Sequence, residues 1–444
     1  MDFNELSLDL EASLGELAML DAHTHLDSAH LTARGLHDIL LYHMLVSDMA
    51  SAGSLDRERL PEEPTDEEAR IRIERAIPYL PAISNTSCHW CLRMILEDLY
   101  GWKKPVTLGN WRELDALIRG RFHEQDWAGR ILDKAGIVRS CTEYWRRREG
   151  SHDNYLQYNL EWAFFARSQW GEFDTAVYEL EKSWSDGTPG TPLPIAPGAS
   201  RRKVPREIRG TDDIHQALDN YVDAIPALVL STAQHISTDI DYRVVDEKTM
   251  ASALGRRGNA GPAERDIYAS YILEEFFKRF EKRNKGQVFQ FSLGAEPLPY
   301  ETASRIGQRT IAQLADMIAR HPDIRFQCFL SSGHANQSLC TISRELPNFS
   351  LAGFWWHNFF PSIMERVMEE RLDMLSTSRQ IGFFSDAYTL EWSYAKAMLV
   401  RKVMSRVLAR KVQLGQYDKE SALAVAKSIL YESPQSLLGM KPRS

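Results

Sequence analysis

The sequence is short of cysteine, of positive charge and of long apolar runs. Five cysteines in 444 residues, an odd number, do not make a disulfide framework and suit a reducing compartment. Acidic side chains outnumber basic ones by 61 to 53, for a formal net charge of −8, which argues against nucleic acid as a partner. The basic run Arg201-Arg202-Lys203 sits in a Pro- and Gly-rich stretch and reads as a solvated loop. No apolar run approaches the ~20 residues that span a bilayer, so no membrane partner is expected. The opening residues, Met1-Asp2-Phe3-Asn4-Glu5, lack the basic and apolar regions of a signal peptide. No internal repeat is visible. The expectation is a soluble, cytoplasmic protein, with a homo-oligomer compatible with these features.

What is present is ordinary globular composition, 43% hydrophobic and 26% charged, with ample material for a core. Short β-prone runs occur at 17–25, 135–141, 160–166, 227–235, 288–295, 324–330, 350–357 and 380–386, with helical patterns between many of them. In the third run Trp162, Phe164 and Phe165 equally suit a helix. After the last run Ala397, Val400, Met404, Val407 and Leu408 recur at three- and four-residue spacing, one buried helix stripe. Alternating strands and helices predict parallel pairing through right-handed crossovers, and eight runs predict an α/β fold, a distorted (β/α)8 TIM barrel. Residues 1–30 hold the N-terminal segment and strand one. Residues 31–130 carry too many helical patterns for one crossover and read as a helical insertion after strand 1, a cap over the mouth. Residues 131–444 complete the barrel, with a Pro/Gly-rich loop or lid at 185–212.

His23-Thr24-His25, at the end of the first run, is the most informative motif. In an extended strand alternate side chains share a face, so both imidazoles project the same way and can share a divalent metal with a third ligand. Barrel catalytic groups sit at the C-terminal ends of strands, and strands one and eight are neighbours in a closed barrel. Asp386, ending Gly382-Phe383-Phe384-Ser385-Asp386, is the candidate third ligand. Alone it would read as a helix N-cap before Thr389-Leu390-Glu391. Two histidines and a carboxylate leave open positions on Zn or Mn for water or substrate oxygens.

These residues resemble a known family. Leu20-Asp21-Ala22-His23-Thr24-His25-Leu26 is similar to the first-strand signature of the amidohydrolase superfamily. Gly353-Phe354-Trp355-Trp356-His357-Asn358, Gly382-Phe383-Phe384-Ser385-Asp386-Ala387-Tyr388-Thr389, Ser87-Cys88-His89-Trp90 and Ser231-Thr232-Ala233-Gln234-His235 resemble, in order and spacing, segments of its uronate (glucuronate) isomerase branch. The resemblance implies metal-dependent aldose–ketose isomerisation of a carbohydrate by proton transfer between C2 and C1. It implies metal ligands His23, His25 and Asp386, with Asp386 or its bound water handling the proton. Trp355 and Trp356 would then wall the pocket, and Tyr42 and His43 would stand where substrate is met. The departures concern the substrate carboxylate. Tyr388 stands where an arginine is expected, Leu45-Val46-Ser47 where another is, and Lys396 where a third is. Phe289-Gln290-Phe291-Ser292 lacks the superfamily's strand-five histidine. The metal corner is kept and the carboxylate clamp rewritten, which predicts a neutral or differently substituted sugar, or a sugar acid gripped by Arg93 or Lys396.

Other residues carry two readings each. His235, His334 and His357 end or follow strands, where they are either site residues or ordinary turn histidines. Cys88-x-x-Cys91 has no second pair and reads as core. Asp239 and Asp241 read as a solvated loop, and Arg146-Arg147-Arg148-Glu149 as a solvated loop or helix face. Two rival functions stand beside the isomerase: a metal-assisted hydrolase or lyase on a small polar compound, and a catalytically silent sugar-binding protein.

Overall fold

Each β-prone run supplies a strand, and every strand pairs with the next in parallel. The computed structural model describes residues 2–56, 63–148, 152–161, 173–186, 206–226, 229–236, 242–283, 286–294 and 306–441. The strands are β1 (Met19–Asp21), β2 (Ile137–Glu143), β3 (Leu156–Glu161), β4 (Val229–Ile236), β5 (Val288–Leu293), β6 (Arg325–Leu330), β7 (Phe349–Ala352) and β8 (Gln380–Ile381). They form one eight-stranded parallel sheet in the order β1 to β8. Short strands buried along their length, such as Val288–Leu293, fit a sheet covered on both faces.

Three runs end differently from expectation. Strand three begins at Leu156 rather than at 160, and 162–170 lie outside the described residues. β2 runs two residues further, to Glu143. β8 is only two residues long because Gly382 N turns to Ile429 O at 2.8 Å and Ser385 N to Asp21 Oδ1 at 2.7 Å, leaving the β7 ladder. Most of the loop expected at 185–212, together with Arg201–Lys203, Asp239 and Asp241, lies outside the described residues.

Between β1 and β2 the chain is helical: Leu36–Leu40, His43–Ser51, Asp66–Ala76, Ser87–Tyr100, Trp111–Phe122 and Trp127–Ala135. Local chemistry sets these ends. Thr65 and Glu68 form a capping box, Thr86 Oγ1 accepts from His89 N at 3.2 Å, and Gly101 and Gly136 stop helices in the left-handed conformation. Of these helices Ser87–Tyr100 and Trp127–Ala135 pack on the long helix Leu390–Gln413, whose residues 397, 400, 404, 407 and 408 are all buried, as the spacing predicts. Glu391, in its first turn, staples the two together. Fully buried, it accepts from Tyr100 Oη at 2.8 Å, Ala33 N at 3.0 Å and Trp127 Nε1 at 3.4 Å.

A separate cluster draws Leu20, Cys141, Val288, Phe329, Ala352 and Ile381 from six strands, with Leu438 and Met440 from the C-terminal segment. Among the described residues no helix is long and apolar enough to cross a membrane.

Candidate metal centre

β1 stops at Asp21, so the two histidines lie beyond it rather than within a strand. The alternation survives nonetheless. Thr24 N donates to Cys141 O at 2.7 Å on the β2 side. His25 N donates to Ala387 O at 2.8 Å, and His23 O accepts from Asp386 N at 3.0 Å, on the β8 side. The chain zigzags between two neighbours and sends both imidazoles the same way, their ring centroids 5.0 Å apart.

His23, His25 and Asp386 each offer a ligand atom, all within 4.8 Å of one another. Asp386 Oδ1 lies 3.1 Å from His25 Nε2 and 3.6 Å from His23 Nε2. The opposite nitrogen of His25, Nδ1, is bonded to Glu143 Oε1, and Glu143 Oε2 accepts from Arg146 Nε at 3.0 Å. A carboxylate on Nδ1 leaves Nε2 as the donor atom, the usual support of a metal-binding histidine. His23 Nδ1 is buried without a hydrogen-bond partner among the described residues. Two imidazole Nε2 atoms within 3.6 Å of an ionised carboxylate oxygen are donor chemistry that suits a divalent cation. The three residues can hold one metal ion.

Electrostatics match this. Burial opposes ionisation of Asp386, but His25, Lys396 and His23 outweigh it and hold the carboxyl well below its usual range. Burial also opposes a charge on His25. Glu143, Tyr388 and Asp386 overcome it and raise that imidazole well above its ordinary value. His23, disfavoured by burial and then by His25, falls to about 4. Asp21, buried behind Ser385, is raised to about 7 by desolvation.

A metal bound at these three residues would displace a proton from His25. Divalent-ion affinity is expected to rise with pH across the neutral range, by up to about tenfold per unit while one proton is exchanged. Calorimetry in buffers of different ionisation enthalpy counts that proton. Glu143→Gln is expected to weaken metal binding about 10- to 100-fold, read by competition with a chelator; unchanged affinity would remove Glu143 from the centre.

Aromatic rings surround the cluster. Tyr388 stacks on His25 at 4.7 Å and 24°, and Trp356 stacks on His43 at 5.3 Å and 23°. Trp355 is buried beside Trp356, and Tyr42 lies against His43. Tyr42 and Lys396 are buried and bonded to each other at 2.8 Å.

Other expected site residues stand elsewhere. Arg93 is 60% exposed on the helix Ser87–Tyr100 and pairs with Glu97 four residues on, so it is not brought to the cluster. An isolated arginine on an outer helix face finds its nearest carboxylate in the next turn. His334 is exposed on the single turn Gly333–Ala335 after β6. His235 lies in β4 with its backbone level with Ser292, and His357 in the turn Trp356–Phe359; the side chains of both lie outside the described residues.

Two residues escaped the sequence reading. Glu143 was hidden by ending strand two at 141. Arg146, placed with the solvated run 146–149, is buried against Trp145 (4.1 Å) and Tyr388 (5.6 Å). Extending strand two by one alternation would have put Glu143 at a strand end.

No family model matches the chain. Uronate isomerase of Thermotoga sp. strain RQ2 is 27% identical over 100 residues, 22% of each chain. That of Xanthomonas campestris pv. campestris strain B100 is 24% identical over 194 residues, 40% of this chain and 41% of that one. The matched stretches thus span less than half the length of these relatives. Solved structures agree over the whole length. Glucuronate isomerase from Caulobacter crescentus superposes with TM-score 0.77 at 16% identity, covering all of this chain and 95% of that one. Uronate isomerase from Thermotoga maritima gives 0.73 at 14%, covering 98% and 97%. The chain therefore has the uronate isomerase fold, and over part of its length it is similar in sequence to uronate isomerases at the low identity of a divergent relative.

Proposed function

We propose that the protein is a metal-dependent aldose–ketose isomerase of a sugar or sugar acid, a divergent uronate isomerase of the amidohydrolase superfamily. The observation that carries this is the convergence of His23, His25 and an ionised Asp386 within 4.8 Å at the ends of the first and last strands. The fold is read as a closed, distorted (β/α)8 barrel whose mouth is capped by the helices of 31–130. The bonds Asp386 N to His23 O and His25 N to Ala387 O support closure between β8 and β1. Five buried free cysteines fit a reducing, cytoplasmic setting.

In this reading His23, His25 and Asp386 hold one divalent ion, Zn or Mn. When bound, such an ion polarises the substrate's carbonyl and hydroxyl oxygens and makes the C2 proton more acidic. That help is needed, because a carboxylate held as acidic as Asp386 is a weak base. Asp386 takes the C2 proton, leaving a C1–C2 enediolate. Return of that proton to C1, with transfer of the O2 proton to O1, completes the ketose. His43, Trp355, Trp356 and Tyr388 form walls against which a sugar face can stack.

Incubation with a range of aldoses and sugar acids in deuterium oxide tests this. Deuterium at C1 of the ketose, or in recovered aldose, is the expected result; cleavage products would favour the hydrolase or lyase instead. Tyr388 in place of an arginine predicts that glucuronate and galacturonate are poor substrates. Rapid turnover of either would show that the acid is gripped by another group.

A further inference from the structure

Among the described residues only Asp386 (φ 53°) and Trp356 (φ 52°) are non-glycine residues with a left-handed backbone. Such a conformation persists only where its surroundings hold it. Two bonds hold the peptide groups of Asp386: its N–H donates to His23 O at 3.0 Å, and its carbonyl accepts from Tyr42 Oη at 3.1 Å.

Tyr42 comes from the helical segment between β1 and β2, at the head of His43–Ser51. Its ring stacks on Trp392 at 4.2 Å and 24°, and Trp392 Nε1 donates to Ile39 O at 3.1 Å. The phenol is thus fixed from both sides. Its oxygen accepts from Lys396 Nζ at 2.8 Å. Lys396 is 2% exposed, with its ammonium 5.1 Å from the Tyr42 ring centre and 4.7 Å from that of Phe359. An ammonium only donates. It occupies a lone pair of the phenol oxygen, and the phenol's single proton is aimed at the Asp386 carbonyl.

We propose that Lys396 and Tyr42 are positioning residues: the ammonium orients the phenol hydroxyl, and the hydroxyl fixes the Asp386 peptide so that its carboxylate meets both imidazoles. This rests on the reading of His23, His25 and Asp386 as metal ligands. It gives Tyr42 and Lys396 a task other than direct contact with substrate. It also makes docking of the helical segment onto Leu390–Gln413 a condition for an assembled metal centre, because that segment brings the hydroxyl.

Cobalt(II) binding to the full-length, metal-stripped protein tests it without any turnover. Tyr42→Phe keeps the stack and removes the hydroxyl. It should lower cobalt affinity about 10- to 100-fold, the range for loss of a group supporting a ligand, and change the visible d–d spectrum, while circular dichroism stays that of the wild type. Lys396→Met should cause a similar loss, and the double variant should lose no more than either single variant, because both act through one hydroxyl. Wild-type affinity and spectrum in Tyr42→Phe, or losses that simply add, would overturn the proposal. The His23→Ala, His25→Ala variant separates the two readings. If it still binds cobalt normally, the metal centre itself is wrong and the proposal falls with it. If it loses cobalt while Tyr42→Phe does not, the positioning role alone is wrong.

Discussion

Replacing both imidazoles, His23→Ala with His25→Ala, is expected to abolish tight divalent-metal binding while the fold persists. A three-residue site stripped of two neutral nitrogen donors keeps one carboxylate, which cannot hold a borderline-soft ion such as Zn against water. Metal measured after gel filtration should fall from about one ion per chain to a small fraction of that, and the proposed isomerase turnover, if the metal supports it, by at least about a thousandfold. Both histidines lie past the end of β1 rather than in its ladder, so the sheet does not depend on them.

The loss does leave two buried carboxylates, Asp386 and Glu143, without the imidazole between them. Removing one partner of a buried pair costs about 3–5 kcal/mol, so the variant should melt at a lower temperature. Without His25 only Lys396 and Arg146 offset the burial of Asp386 and Glu143, so both acids lose much of the depression that His25 gives them. A carboxylate whose folded pKa is depressed contributes stability that is present above its unfolded pKa and is lost as pH falls through the folded one. The deficit should therefore be largest near neutrality and shrink only below about pH 4. Unchanged metal stoichiometry in this variant would refute the assigned ligands.

Gly353→Ala is expected to damage the fold more than any other single methyl group added near the site. Gly353 follows β7 with φ 52°, a left-handed backbone. A Cβ there would land inside contact distance of Cδ1 and Cε1 of Phe384. Neither side can yield easily. Gly353 N is tied to Ile381 O at 2.8 Å, and its carbonyl accepts from the buried Arg371 at 2.6 Å. Phe384 is packed on Phe329, ring centres 4.6 Å apart, and stands 5.9 Å from His23. Overpacking costs about 1–3 kcal/mol and the left-handed conformation about 1–2 more, a large part of the about 5–15 kcal/mol that holds a domain folded. Urea denaturation should show a much lower midpoint, or the protein should fail to accumulate. Trimming Phe384 to Leu in the same chain should restore part of the loss. A wild-type midpoint for Gly353→Ala would mean that the β7–β8 junction is far looser than its contacts indicate.

The order of the strands was legible because buried parallel strands are short apolar runs, and each of the eight runs overlaps a strand. Where turn geometry or a neighbour's backbone sets the end, boundaries were not legible. β8 stops at Ile381 because Gly382 bonds to Ile429 in the C-terminal segment, a partner forty-seven residues away that no local pattern announces. Ending strand two at 141 hid Glu143, a carboxylate that is stable in a buried strand end because it is bonded to His25 and Arg146. Arg93 was given weight as a spare cation, but a solvent-exposed arginine with a glutamate one turn away has a local partner.

Local sequence alone determined the repeating strand–helix pattern, the helix ends and the pairing of His23 with His25, since each depends on residues a few positions apart and on the periodicity of their side chains. It also singled out Asp386, through the strand-end rule for barrels. Only the tertiary structure decided what surrounds that carboxylate. Glu143 on His25, Tyr42 and Lys396 on the Asp386 peptide, and Tyr388 stacked on the ring all come from segments tens to hundreds of residues apart. Their meeting depends on how helices and strands pack in three dimensions, and packing is set by shape and burial summed over the whole chain rather than by any short motif.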